Sequence, residues 1–259
     1  MSFHDILVFL DATDDNDARL KAALVLASAH GARIIGVDAS TEDAFLGKWR
    51  ERAVAVQGDF EKAVKGSGVE SVFRSLSPSK PAAGLHIAHY ADLIIAPQPE
   101  FEMRTLVAAP IPEDVVLTSG VPTIVLPSFW KAQPIGQSIV IAWNASREAT
   151  RAVHDAMPLL RKANQVTIFT VATDANAARA GSEMLVDHLE RHGVKAQTSY
   201  WPSSTDATVV EGLFACLDTQ DADLIVAGAF GHARWVENFF GGVSRELIRQ
   251  PSLPVLMSH

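Results

Sequence analysis

Short, continuous apolar runs punctuate the chain, separated by longer stretches in which apolar positions recur at helical spacing. The clearest runs are "DILVFLDAT" near the N-terminus, "ARIIGVDAS" at 32–40, "HYADLIIAP" at 89–97 and "VPTIVLP" at 121–127. They are rich in Val, Ile and Leu and do not alternate with polar residues, the pattern of strands buried on both faces of a parallel sheet. Between the runs, "ARLKAALVLASAHG" reads as a helix closed by Gly31, and "NAARAGSEMLVDHLERHG" as a helix closed by Gly193. Strand and helix alternation of this kind predicts right-handed βαβ crossovers and a doubly wound sheet.

The pattern occurs twice. "SIVIAWNAS" at 138–146, "QVTIFTVAT" at 165–173, "QDADLIVAG" at 220–228 and "LPVLMS" at 253–258 repeat the four runs at a displacement of about 132 residues. The expected architecture is therefore α/β, with two doubly wound, Rossmann-like domains of five parallel strands each. Their expected bounds are 1–130 and 136–259, with the seam in "PSFWKAQPIGQ" at 127–137, where Pro127, Pro134 and Gly136 break regular structure. Ligands on such a sheet sit beyond the carboxyl ends of the strands, where strand order reverses.

Composition narrows the function classes. Hydrophobic residues make up 48% and charged residues 20%, ordinary for a globular protein with a sizeable core. A net charge of −8 argues against a nucleic-acid partner, whose footprint is a basic patch. No apolar run approaches the length of a membrane span, and the N-terminal run, bracketed by Asp5 and Asp11, is not expected to act as a signal peptide. Cys216 is the only cysteine, which excludes an intrachain disulfide and fits a cytoplasmic location.

The segment "GAFGHARWVENFFGGVSRE" at 228–246 places four glycines after a buried strand and before a helix. Two readings stand. The glycines serve sharp bends and a helix start, or Gly228, Gly231, Gly241 and Gly242 let a phosphate chain touch backbone N–H groups at the positive end of a helix. Neither a Walker A lysine nor a G-x-G-x-x-G fingerprint is present. The first copy weighs for phosphate: its aligned positions carry Pro97, Glu100, Pro110 and Ile111, which remove a donor, add negative charge or fill space. The second copy alone is then expected to be nucleotide-competent.

The spacing G-x2-G-x9-G, followed by a helix and a terminal "PVL" strand, resembles the universal stress protein family, and the resemblance covers nearly the whole chain as a tandem pair. It implies the adenine-nucleotide fold of that family, an intrachain pseudo-dimer through the last strands, and phosphates of ATP, AMP or ADP, with or without Mg²⁺, held at Gly228, Gly231, Gly241, Gly242, Val243 and Ser244. Gly242 departs from the family's Ser/Thr, and Ser244 offers a hydroxyl nearby. The resemblance further implies a nucleoside facing Asn144, where the family carries Asp, and adenine meeting backbone near Val171. Ser146 is a candidate polar contact or a helix N-cap, two compatible roles. The partners implied are the nucleotide and an unidentified protein in stress signalling, with a further homodimer left open. A protein-interaction module of the same family that binds no nucleotide is the competing reading.

The remaining candidates carry less. His188 and His192, at i and i+4, lack the glutamate of H-E-x-x-H and read as a solvated helix end, and His86 and His89 are read likewise. Cys216 lies in an apolar helix and is expected to be a buried small hydrophobe. His232 and Arg234, within the glycine segment, could neutralise phosphate charge, and "WVENFF" at 235–240 could cover the site. No catalytic constellation and no metal-ligand set is found, so an enzyme is not expected, with slow ATP hydrolysis left open.

Overall fold

The computed structural model describes residues 2–11, 16–38, 49–75, 86–98, 112–128, 130–131, 133–203, 208–229, 243, 246–248 and 251–259. The chain divides into two compact units, Ser2–Gln133 and Pro134–His259. The first contains β1 (Asp5–Leu10), α1 (Asn16–His30), β2 (Arg33–Asp38), α2 (Trp49–Val64), β3 (Ser71–Ser75), β4 (Leu93–Pro97), α3 (Pro112–Thr118) and β5 (Thr123–Leu126). The second contains β6 (Ser138–Ala142), α4 (Arg147–Leu160), β7 (Gln165–Ala172), α5 (Ala175–Arg191), β8 (Gln197–Pro202), α6 (Val209–Thr219), β9 (Leu224–Gly228) and β10 (Val255–Ser258).

Each unit is a parallel sheet with the same winding. In the first, β1 lies between β2 and β4, β3 pairs with β2, and β5 pairs with β4. In the second, β6 lies between β7 and β9, β8 pairs with β7, and β10 pairs with β9. Both sheets reverse direction of winding beside their first strand, as a doubly wound α/β sheet does. The apolar runs account for this: Ile6–Leu10, Leu93–Ala96, Ile139–Ile141 and Leu224–Val226 are buried throughout, so both sheet faces are covered.

The helices begin and end where local chemistry directs. Ser146 caps α4 by accepting from Ala149 N at 3.1 Å. Asp174 caps α5 by accepting from Asn176 N and Ala177 N, bonds that hold its carboxyl below the usual range. Thr208 and Glu211 close a reciprocal capping box on α6. Gly31 and Gly193 follow α1 and α5 with φ of +66° and +81°, left-handed values that a Cβ disfavours.

A repeated aspartate ties each sheet together at the ends opposite the ligand side. Asp92, just before β4, accepts from His4 N at 2.7 Å and Asp5 N at 3.0 Å. Asp223, just before β9, accepts from Gly136 N, Gln137 N and Ser138 N. The "ADL" shared by the two copies is thus a clamp that fixes the entry of the first strand against the fourth.

Candidate functional site

In the second unit a cleft that opens to solvent lies at the carboxyl ends of β6, β7 and β9. It forms there because β6 ends at Ala142, paired with Phe169 and Ala227, while β7 continues to Ala172 with only β8 beside it. Trp143 N donates to Phe169 O and Ser203 N donates to Ala172 O, both at 2.8 Å. Backbone direction alternates along a strand, so residue 169 faces the β6 side and residue 172 the β8 side. Val171 therefore turns its N–H and C=O toward the β6 side, past the point where β6 pairing stops. An edge of this kind matches the donor–acceptor pair of a planar base.

The walls are mostly apolar. Val209 and Leu213 of α6 line one side, and Val243 and Leu247 contribute from the helical residues that precede β10. The polar side chains are Asn144, Ser146 and Thr170, together with the Trp143 indole. Trp143 is held by a hydrogen bond from Nε1 to Gly181 O of α5 at 3.3 Å. Among the described lining residues none is ionisable. The turn linking β6 to α4 is tightly organised: Asn144 Oδ1 accepts from Ser146 N at 3.1 Å, and Ala145 between them has φ of +56°.

Of the residues singled out in the sequence, Asn144, Ser146, Val171, Gly228 and Val243 line this one cleft. Gly231, Gly241, Gly242 and Ser244 lie outside the described residues, as do His232, Arg234 and the 235–240 run. The need for glycine at 228 comes from within the chain. A Cβ built there would stand 2.4 Å from Ala149 N and 2.5 Å from Glu148 C, so the first turn of α4 occupies the space. Phosphate is not required to explain Gly228. Trp143, Thr170, Val209 and Leu213 were not anticipated. Trp143 and Thr170 adjoin anticipated residues, whereas the α6 pair is brought in from a remote stretch of chain.

The corresponding strand end in the first unit carries a buried ion pair. Asp11, directly after β1, is paired with Arg19 through two hydrogen bonds of 2.8 Å, and the Arg19 side chain is 2% exposed. Arg19 also donates to Asn16 Oδ1 at 2.8 Å. Eight residues beyond Asp11 stands this arginine; eight beyond Asn144 stands Ala152.

Elsewhere, His188 is more engaged than a solvated helix end would be. Its ring stacks on His154 of α4 at 5.2 Å and meets His192 at 4.6 Å. Among the described residues no group of three or more His, Cys, Asp or Glu is arranged to hold a metal ion. His89 Nδ1 lies 2.9 Å from Ser119 O, and Cys216 is buried, which pushes its thiol pKa up. No described helix is long and apolar enough to cross a membrane.

A paired, doubly wound α/β chain with a strand-end cleft in its second half is the class that fold and site define. No family model matches the sequence, and no curated protein sequence matches it. Solved structures do. A universal stress protein from Archaeoglobus fulgidus DSM 4304 superposes with a TM-score of 0.75 at 15% identity, covering 98% of this chain and 97% of that one. A functionally unknown protein from Pseudomonas aeruginosa PAO1 gives 0.64 at 14% identity, over 99% and 92% of the two chains. A putative universal stress protein from Pseudomonas aeruginosa UCBPP-PA14 gives 0.58 at 14% identity, over 99% and 93%. The chain thus has the fold of two-domain universal stress proteins along its whole length.

Proposed function

We propose that the chain is a tandem universal stress protein of the cytoplasm that binds one adenine nucleotide in its second unit and signals to a protein partner. The observation that carries this is the Val171 backbone edge, directed into an apolar cleft at the switch point of the second sheet. In that cleft Val171 would read the base edge, Thr170 and Asn144 the sugar, and Val209 and Leu213 would exclude water from the base face. The phosphates would extend toward the segment that follows Gly228. Any Mg²⁺ would arrive on the phosphates, since the described lining offers no carboxylate. Hydrolysis would be slow for the same reason: no described lining group can act as a general base.

The packing origin of Gly228 favours the competing reading, an interaction module without nucleotide. Calorimetric titration of nucleotide-free protein with AMP and with Mg²⁺–ATP separates the two. Binding near one equivalent, abolished in Val209→Trp, which fills the cleft wall, supports the nucleotide site. Absence of heat with both nucleotides, together with no rise in Tm, would leave the interaction module.

A further inference from the structure

We infer that the second-unit cleft selects adenine nucleotides whose ribose edge carries phosphate over those with a free ribose diol, and that Asn144 sets this preference. The inference rests on the nucleotide reading of the cleft and deepens it. Asn144 stands directly beyond β6 and lines the cleft. Its Oδ1 accepts from Ser146 N at 3.1 Å, and a backbone N–H can only donate, so this contact fixes which end of the amide is which. The oxygen is committed to the turn. The hydrogen-bonding capacity that remains belongs to Nδ2, which has two protons to give and, among the described residues, no acceptor holding them. A carboxylate at this position would keep a charged acceptor for the cleft, suited to two ribose hydroxyl donors. Asn144 instead offers a neutral donor, which calls for an acceptor on the ligand.

Phosphate oxygen is the strongest acceptor a nucleotide carries at its sugar. A carboxylate would repel it, because two like charges a few ångströms apart cost far more in a partly desolvated cleft than in water. The rest of the described lining agrees, since it contains no ionisable side chain to oppose an anion. The first unit reaches the same outcome by another route. Its aspartate at the matching strand end is kept, but both carboxylate oxygens are taken by Arg19. Among the described residues, Asp11 of the first copy is paired with Arg19, and Asn144 of the second carries no charge, although the two sequences there differ. The electrostatic condition is shared while the residues are not.

The test compares two probes that differ only at the sugar, AMP and adenosine 3′,5′-bisphosphate, by calorimetric titration of wild type and Asn144→Asp. The variant is isosteric and retains an oxygen for Ser146 N, and a matched Tm confirms that it folds. Wild type is expected to bind the bisphosphate at least as tightly as AMP. In Asn144→Asp the bisphosphate is expected to lose about tenfold relative to AMP, the size of one introduced like charge in a half-buried site. An unchanged ratio in the variant, or a wild type that prefers AMP tenfold or more, would overturn the inference while leaving the nucleotide site standing. If neither probe binds wild type, the nucleotide reading falls and this inference with it.

Discussion

Gly228 sits where the fold itself leaves no room for a side chain. A glycine directly after a buried strand signals that something approaches the backbone closely, and the sequence cannot say what. The structure supplies the first turn of α4, whose backbone stands where a Cβ would go. Gly228→Ala is therefore expected to cost about 1–3 kcal/mol in urea unfolding, as overpacking against backbone does. An unchanged midpoint would contradict this packing. Arg19 is the counterpart in the first unit. Its charge is buried against Asp11, so Arg19→Ala should cost about 3–5 kcal/mol by leaving a carboxylate unpaired. A loss below about 1 kcal/mol would mean that the pair contributes little to the fold. This ion pair was not legible in the sequence. Asp11 and Arg19 stand on either side of the start of a helix, and nothing in spacing distinguishes a buried pair there from a solvated one.

At the scale of elements, the strands were legible and the cleft only in part. Continuous Val, Ile and Leu runs have few places to go other than the middle of a covered parallel sheet, and the repeat doubled the signal. The strand ends follow from the same runs, whereas Asn144 and Val171 were indicated there by the resemblance to the universal stress protein family. Val209 and Leu213 were not, because α6 reaches the cleft through tertiary packing that periodicity does not encode. The contact between His154 of α4 and His188 of α5 was hidden for a similar reason. His154 is far from His188 in sequence, so their stacking across two helices was invisible. Desolvation by its neighbours first, then the charges of His188, Arg161 and His154, hold the His192 pKa below the usual histidine range. A histidine lowered on folding stabilises the native state above its unfolded pKa, and that stability is lost as pH falls through the folded value. Acidification from pH 7.5 to 5.5 should accordingly lower the urea midpoint, and His192→Gln should flatten the dependence. A slope that is identical in the variant would exclude His192 as its source.

The molecule as a whole is a duplication whose halves have parted in chemistry while keeping one winding. Both copies hold their first strand with the same aspartate clamp, Asp92 in one and Asp223 in the other. They differ at the opposite ends of those strands. One strand end carries the buried Asp11–Arg19 pair, and the other gives onto a cleft with a donor from Asn144 and a backbone edge from Val171. On the proposed function, only the second half takes a nucleotide. Hydrogen exchange of the whole chain, with and without saturating AMP, separates the two halves. The prediction is slowed exchange at 142–146 and 169–172, with residues 5–11 and 33–38 unchanged. Protection at the first-unit strand ends, or none at either, would contradict it.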